Sequence, residues 1–261
     1  MLGDMNSQDP IDVIELMTPE FLFRRAEEEE YPNPKIDDIT RGKHHPDIYK
    51  IVGTVPISYG DIERLKPSGR LNDSIIQAFI DLLMEFTRRH GIANCFLFSL
   101  HFTSYVKSGE EDGIKRYLRS QNIDFSSLEN FLFPVNCNDS HWVTVVVRKS
   151  FKTIEIYDSD QGLPSITPVE DLAELFQDYE VIKVLVSYVI AQLNVDASEW
   201  ICIFMECPQQ TNFDDCGVHL CLNSLCVALD FDVHFDANKV STFRRYMVQC
   251  LSQAELIPAR V

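Results

Sequence analysis

The sequence predicts an α+β fold in which a mainly antiparallel central sheet is flanked by helices. Two apolar segments, residues 142–147 and 153–157, are rich in valine and isoleucine, and the link between them is short and begins with Arg148, Lys149 and Ser150. This pattern predicts two strands of an antiparallel hairpin. Residues 200–205 have the composition of another strand. Segments with a helical period separate these strands along the chain, which completes the α+β pattern.

The clearest helix begins near Leu71. Apolar residues recur there with a period of about 3.6, at Leu71, Ile75, Phe79, Leu82, Leu83 and Phe86. Asn72 or Asp73 can cap the start of this helix, and Gly91 can end it. The other predicted elements are a buried strand at 131–135, a surface helix at 113–120, a helix at 168–193, a helix from Cys216 to about Leu229, and an amphipathic helix at 238–254.

The first 45 residues differ in composition from the rest of the chain. They are polar, acidic and interrupted by prolines, and they include the run from Glu27 to Glu30. Such a charged run is typical of a solvated segment. We therefore expect a mobile acidic leader over residues 1–45, with one short helix near residues 13–17. Residues 46–261 are predicted to form the folded domain, which is large enough to bury a substantial core.

Composition and charge exclude several classes of partner. Lysine and arginine number 23 and aspartate and glutamate 40, which gives a formal net charge of −17. Such a chain repels nucleic acid and anionic membranes and suits a basic protein partner. No apolar run reaches the roughly 18 residues of a membrane span, and the first residues lack the basic and apolar pattern of a secretory signal.

Cysteine usage indicates the compartment. The eight cysteines form no C-x-x-C pair and stand at positions 95, 137, 202, 207, 216, 221, 226 and 250. In a chain of this length without a secretory signal, buried and reduced thiols are expected. We therefore expect a protein of the nucleus, the cytoplasm or both, which acts as a monomer without a metal or cofactor.

The predicted hairpin brings a histidine and an aspartate together. If its turn is centred between Lys149 and Ser150, His141 lies opposite Asp158 at the open end of the two strands. Directly opposed residues on a sheet have Cβ atoms about 4.5–5.5 Å apart, close enough for an imidazole to meet a carboxylate. A slip of one residue in register would put the two side chains on opposite faces.

A cysteine at a predicted helix start supplies a nucleophile. The polar segment from Gln209 to Asp215 leads into the apolar helical pattern that follows Cys216. Unpaired N–H groups at a helix N-terminus favour a thiolate, as does a nearby imidazolium. Gly217 leaves room for a substrate carbonyl. The backbone N–H of Cys216 and the side-chain amide of Gln210 are candidate donors to an oxyanion.

Other interpretations remain open for the single residues. A lone cysteine in a helix or a lone histidine beside a strand is more often structural than catalytic. His219, three residues after Cys216, is a second candidate base, but only His141 has a carboxylate partner supplied by the hairpin. Cys216, His219 and Cys221 do not match a zinc pattern, because helix positions i, i+3 and i+5 do not converge on one ion.

The motifs together resemble one peptidase family. The matching segments are Leu71-Asn72-Asp73, Phe98–Lys107, Gly113–Tyr117, Phe133–Asn136 with His141-Trp142, Tyr157-Asp158-Ser159, and Gln209-Gln210 with Asp215-Cys216-Gly217. In this order they resemble the ubiquitin-like-protein-specific proteases, also called sentrin-specific or SUMO proteases. The resemblance covers about residues 50–255 and implies a papain-like catalytic arrangement of the SUMO-protease type.

The resemblance also implies roles for individual residues. Cys216 is the implied nucleophile, His141 the base and acid, Asp158 the group that orients the histidine, and Gln210 the oxyanion donor. Trp142 matches a residue that lines a narrow tunnel over the Gly-Gly tail of the modifier. Two further positions match substrate-contacting sites, namely Asp73, which faces the basic surface of the modifier, and Arg70. The implied partners are a ubiquitin-like modifier, with SUMO expected, and its conjugated target proteins.

Two positions depart from the family pattern. Arg70 stands where the family usually has a tryptophan, and Phe213 stands where it has a glycine. The expected activity is cleavage after the C-terminal Gly-Gly of SUMO, for deconjugation, precursor maturation or both. Arg70 keeps open the same chemistry on ubiquitin or a NEDD8-like modifier. A catalytically silent modifier-binding module and an acyltransferase with a similar triad are the alternatives from other classes.

Overall fold

The computed structural model describes residues 10–28, 48–92, 95–160, 165–169 and 179–258. The helices are α1 (Pro10–Glu15), α2 (Pro19–Glu28), α3 (Tyr59–Glu63), α4 (Asp73–Arg89), α5 (Leu100–Ser108), α6 (Glu111–Ser120), α7 (Glu180–Leu193), α8 (Cys216–Ala228) and α9 (Val240–Gln253). The strands are β1 (Ile48–Val52), β2 (Val55–Ser58), β3 (Phe96–Leu97), β4 (Asn130–Cys137), β5 (His141–Arg148), β6 (Thr153–Tyr157), β7 (Ser165–Pro168) and β8 (Ile201–Phe204).

A six-stranded sheet organises the fold, with the order β3-β4-β5-β6-β8-β7. The pairs β4–β5, β5–β6 and β7–β8 are antiparallel, whereas β3–β4 and β6–β8 are parallel. The prediction of an α+β fold is confirmed, but the sheet is mixed. Parallel neighbours need a long crossover, and the segment between β6 and β8 that contains α7 provides one. Within the described residues, no helix combines the length and apolarity needed to cross a bilayer.

The predicted hairpin register is wrong by two residues. The structure pairs Thr144 with Tyr157 and Val145 with Ile156, so the turn is centred between Ser150 and Phe151. The reason is the longer turn, which runs over residues 149–152 and closes with Lys152 in the left-handed region at φ 52°. Because side chains alternate, a shift of two residues keeps every side chain on its predicted face.

The predicted helix at 168–193 begins later than expected. Residues Ser165–Pro168 form β7, which pairs with β8 through Ile166 and Ile203, and α7 begins at Glu180. Residues 170–178 of the predicted helix lie outside the described part of the chain. Pairing with the backbone of β8 decided the conformation at 165–168, and a local helical period cannot reveal such a long-range pairing.

Helix α8 lies at the centre of the molecule. Every residue from Cys216 to Ala228 is buried, because one side of the helix packs on β5 and another packs on α4. A helix buried on all sides is expected to be largely apolar, and this helix is so apart from His219, Asn223 and Ser224. The Thr144 hydroxyl of β5 donates to the Leu220 carbonyl at 3.3 Å and ties the helix to the sheet. The first residue of α8 is thereby held beside the end of β5, which is an interior strand of the sheet.

The prediction of a polar leader is wrong for residues 13–28. Helix α2 buries Leu22, Phe23 and Ala26 in the main core, and the Phe23 ring meets the Phe243 ring of α9 edge-on at 6.4 Å. The acidic composition of the segment led to the wrong prediction, because it does not reveal an amphipathic helix whose apolar residues share one face. Arg25 also donates to the Pro258 carbonyl at 2.5 Å. The remaining leader residues, 1–9 and 29–45, lie outside the described part of the chain.

We expect Phe23→Ala to lower the free energy of unfolding by about 3–5 kcal/mol, because it removes a fully buried aromatic side chain. Equilibrium urea unfolding measures this change. Phe21→Ala is the matched control, since Phe21 lies on the same helix and is only half-buried, and it should cost much less. An unchanged unfolding midpoint for Phe23→Ala would show that α2 is not part of the cooperative folding unit.

Candidate active site

Three chain segments meet at one end of the β5–β6 hairpin. His141 is the first residue of β5, Asp158 follows the last residue of β6, and Cys216 is the first residue of α8. His141 Nε2 lies 2.7 Å from Asp158 Oδ1. The observed register makes Asp158 a diagonal rather than a direct neighbour of His141, and such pairs remain within reach of long side chains.

Cys216 lies on the other side of the imidazole. Its side chain hydrogen-bonds with that of His141, and since Nε2 is engaged by Asp158, Nδ1 is the ring nitrogen left for the thiol. Burial lowers the pKa of His141, but the hydrogen bonds to Asp158 and Cys216 and the negative charges of both groups outweigh it and raise that pKa to about 10. The imidazole therefore lies between the Cys216 sulfur and the Asp158 carboxylate, in surroundings that favour its protonated form.

Asp158 is a buried carboxylate with several donors. Its Oδ1 accepts the Asp160 N–H at 2.8 Å as well as the His141 ring, and its Oδ2 accepts the Tyr179 hydroxyl at 2.5 Å. Burial raises the pKa of Asp158, but the hydrogen bond and charge of His141, together with the bonds from Tyr179 and Asp160, bring it below its usual value. Sequence reasoning missed Tyr179, since no local motif links it to Asp158.

Gln210 is tied to the segment that carries Asp158. Its backbone N–H donates to the Ser159 carbonyl at 2.8 Å, and the Ser159 hydroxyl donates to Gln210 Oε1 at 2.9 Å. The side-chain oxygen is thus occupied, which leaves the Nε2 amide hydrogens as donors. The amide nitrogen is the end of the side chain that an oxyanion donor uses.

A buried ion pair holds the loop that precedes Cys216. Arg244 of α9 donates from Nη2 to Asp215 Oδ1 at 2.6 Å and to the Asp214 carbonyl at 3.0 Å. Asn212 supports the same loop, because its Nδ2 donates to Asp215 Oδ2 at 2.7 Å. Arg244 also reaches the Arg64 carbonyl at 3.0 Å. These bonds position the start of α8, and the sequence contained no local signal for Arg244.

We expect Arg244→Met to destabilise the protein by about 3–5 kcal/mol, because it leaves the buried Asp215 carboxylate without its cation. Arg244→Lys should recover only part of this loss, since an ammonium cannot reproduce the forked geometry. Thermal unfolding measures both variants. The control is Arg245→Met on the exposed face of the same helix, and equal losses for residues 244 and 245 would contradict the role of the buried pair.

The predicted substrate-contacting residues lie close to this centre. The Trp142 indole N–H donates to the Leu71 carbonyl at 3.3 Å, so the indole is held against the segment that precedes α4. Trp142 and Asp73 line one cavity of about 350 Å³. Arg70 faces the loop before the nucleophile instead, and its Nε donates to Asp214 Oδ1 at 3.2 Å.

A glycine is needed at position 217 for a different reason from the one expected. A Cβ at this position would lie 2.9 Å from Leu71 Cβ and 3.2 Å from Ile76 Cδ1. The space beside Gly217 is therefore filled by α4 and the residue before its cap, and not kept for a substrate carbonyl. The glycine lets the segment at Leu71 approach the first turn of α8.

The competing residues of α8 are poorly placed for catalysis. His219 is 1% exposed, and burial lowers its pKa to about 4, against smaller opposing contributions from Asp215 and Pro208. It is therefore a neutral histidine whose ring packs near that of Phe235. Burial likewise raises the pKa of the Cys221 thiol, which makes it an inert core residue.

A thiol at a helix start, an imidazole and a carboxylate bonded in that order form the arrangement of a cysteine peptidase. The model of the Ulp1 protease family, C-terminal catalytic domain, matches residues 70–255. The chain belongs to this family, and the resemblance predicted from the motifs is confirmed.

Individual relatives agree with the family match. Ubiquitin-like-specific protease 1 of Saccharomyces cerevisiae is 25% identical over 198 residues, which are 76% of this chain and 30% of that protein. Sentrin-specific protease 2 of Homo sapiens is 28% identical over 204 residues, which are 77% of this chain and 33% of that protein. The matched region thus spans about a third of the length of these curated relatives.

Solved structures share the fold. The SUMO protease Ulp1 with its catalytic cysteine oxidised to a sulfinic acid superposes with a TM-score of 0.66 and 22% identity, covering 88% of this chain and 98% of that one. The C-terminal Ulp1 protease domain in complex with Smt3, the yeast orthologue of SUMO, superposes with a TM-score of 0.65 and 21% identity, covering 97% of both chains.

Proposed function

We propose that the chain is a thiol isopeptidase that cleaves after the C-terminal Gly-Gly of a SUMO-type modifier. The observation that carries this proposal is the row Cys216–His141–Asp158, in which the imidazole is 2.7 Å from the carboxylate and hydrogen-bonds with the thiol. The family match and the complex of Ulp1 with Smt3 support the choice of modifier. Conjugated target proteins are the second proposed partner.

Acylation begins with attack of the Cys216 thiolate on the carbonyl carbon of the last glycine. A C–S bond forms, and the developing oxyanion accepts hydrogen bonds from the Gln210 amide and the Cys216 backbone N–H. The His141 imidazolium then gives its proton to the leaving lysine amine as the C–N bond breaks. The products of this step are the free target lysine and a thioester between Cys216 and the modifier.

Deacylation returns the enzyme to its starting state. Neutral His141 takes a proton from a water molecule, whose oxygen attacks the thioester carbonyl. A C–O bond forms and the C–S bond breaks, which restores the Cys216 sulfur beside a protonated His141. The released carboxylic acid gives its remaining proton to solvent, so the modifier leaves with a free C-terminal carboxylate. Asp158 remains ionised throughout and keeps the imidazole oriented through Oδ1. The same two steps mature a precursor, in which the leaving group is an α-amine.

The Gly-Gly tail of the modifier is recognised through its lack of side chains. Trp142 is 5% exposed, and its indole is held by the Leu71 carbonyl beside the start of α8. Two glycines can lie extended under such a fixed indole, whereas larger residues would collide with it. Asp73 adds a negative charge at the cavity that it shares with Trp142, which suits a modifier with a basic surface.

The choice among modifiers depends on the rim of the cleft. Arg70 is about half exposed and pairs with Asp214 through Nε, and Phe213 next to it is 78% exposed. Both positions depart from the family pattern, so the rim presents a cation and an aromatic ring of its own. This favours testing ubiquitin and a NEDD8-like modifier as the second candidate substrates.

A labelling panel tests the proposal. SUMO, ubiquitin and NEDD8, each with an electrophile at the C-terminal glycine, are incubated with the protein, and intact mass spectrometry measures the adducts. We expect SUMO to form the adduct fastest. Faster labelling by ubiquitin or NEDD8 would transfer the activity to that modifier, and SUMO binding without any adduct would favour a catalytically silent binding module.

A further inference from the structure

We propose that Tyr179 is a positioning residue of this site, whose hydroxyl fixes the rotation of the Asp158 carboxylate so that Oδ1 faces His141. The inference rests on the proposed function, because it assigns a role within the same reaction. Tyr179 precedes α7 and lies 21 positions in sequence from Asp158, outside the motifs that carry the family resemblance.

The bonds around Asp158 determine how its carboxylate is turned. Oδ1 accepts from His141 Nε2 at 2.7 Å and from the Asp160 N–H at 2.8 Å. Oδ2 accepts from the Tyr179 hydroxyl at 2.5 Å. The donors come from β5, the segment after β6 and the start of α7. If the carboxylate rotated about its bond to the side chain, its bonds to His141, Asp160 and Tyr179 would all break. These three donors therefore fix its orientation together.

Burial makes the Tyr179 bond consequential. Asp158 is 2% exposed, so water cannot readily take over a lost hydrogen bond. Without the phenol, the buried Oδ2 would lose the one side-chain donor that the described residues give it, and the carboxylate would turn or move toward another donor. Either response disturbs the alignment of the imidazole with the Cys216 thiol. Small misplacements of this kind strongly lower the rate of a reaction that depends on orientation.

The position of the hydroxyl is set by the helix that follows it. Tyr179 immediately precedes α7, whose apolar face buries Ile182 and Leu185 against the sheet. The Tyr179 ring meets the Phe204 ring of β8 edge-on at 5.6 Å. These contacts fix the ring by packing, so the donor is held by the sheet and a helix together.

Tyr179 stays a donor across the working pH range. Burial, the hydrogen bond to Asp158 and the charge of that carboxylate raise the pKa of the phenol above its usual value. Among the described residues, the titratable groups that act on this pair are Cys137 of β4, His141 of β5, Asp160 after β6 and Cys207 after β8. Of these, only His141 carries a positive charge.

The test compares Tyr179→Phe with Tyr188→Phe. Both changes delete one phenolic oxygen, but the half-buried Tyr188 packs its ring against Phe102 and Phe125 and is not bonded to Asp158. With a SUMO carrying a C-terminal fluorophore, we expect Tyr179→Phe to lower kcat about 10- to 100-fold, as other residues that orient a reacting group do, with KM within about twofold. Because the Asp158 anion loses a donor, its pKa rises and the acid limb of the kcat profile moves to higher pH.

A second readout separates this role from a loss of structure and from a failure of the proposed function. The proton on His141 Nε2 gives a far-downfield NMR resonance when it is bonded to a carboxylate. We expect Tyr179→Phe to shift or broaden it in the free protein, with an unfolding temperature close to that of Tyr188→Phe. Unchanged kinetics, pH profile and resonance, or equal losses for both variants, would overturn the inference.

Discussion

Cys216→Ala is expected to abolish cleavage while the protein remains folded and binds its modifier. The Cys216 sulfur forms the bond to the glycine carbonyl. Cys137 also pairs with His141 across the β4–β5 ladder, but its thiol is buried. Burial raises the pKa of Cys207 to about 12 and that of Cys137 to about 12, so neither supplies a thiolate at neutral pH. We expect turnover to fall at least about 10⁴-fold, as in peptidases that lose one member of the triad.

The measurements for this variant are turnover of a SUMO–fluorophore substrate and calorimetric titration with mature SUMO. Cys221→Ala is the control, because it removes an inert thiol from the same helix. Turnover by Cys216→Ala within about tenfold of the wild type would refute the assignment of the nucleophile. Loss of both binding and turnover would instead indicate damage to the fold.

Asp158→Asn is expected to reduce kcat about 10²- to 10⁴-fold and to change its pH dependence. The asparagine keeps the size of the side chain but removes the negative charge, and its amide can turn an N–H toward His141. In the wild type the pKa of His141 is raised to about 10. Without the carboxylate that pKa falls, so the imidazolium is lost at lower pH.

The sign of the pH effect follows from that shift. A histidine whose folded pKa is raised keeps its favourable interactions below its unfolded pKa, near 6.5, and loses them as pH rises through about 10. The wild-type alkaline limb of kcat/KM, which reports the free enzyme, should therefore lie near pH 10, and that of Asp158→Asn at lower pH. An NMR titration of His141 checks the same shift directly. An alkaline limb that does not move would contradict the orienting role of Asp158.

The strands around the site were predictable, but their register was not. Residues 153–157 were predicted as a strand and form β6, because a valine- and isoleucine-rich segment has a strong local preference. The turn at 149–152 depends on a left-handed Lys152, for which the sequence carries no glycine or asparagine signal. The predicted contact between His141 and Asp158 is still observed, because a register shift of two residues leaves both side chains on the same face of the sheet.

The residues that support the site were beyond sequence reasoning. Tyr179 and Arg244 contact Asp158 and Asp215 across 21 and 29 positions of sequence, and each lies in a helix or beside one whose docking no local pattern specifies. Gly217 was identified, but the side chain that fills the space beside it comes from Leu71. Motifs indicate which residues react, whereas tertiary packing decides what holds them.

The selective reactivity of Cys216 among the eight thiols follows from its position beside His141, which Asp158 orients. Peptide mapping by mass spectrometry after brief labelling with the SUMO electrophile tests it most directly. We expect an adduct on Cys216 alone, formed at least about 100-fold more slowly in His141→Ala. An adduct on another cysteine, or labelling of Cys216 at an unchanged rate in His141→Ala, would contradict it.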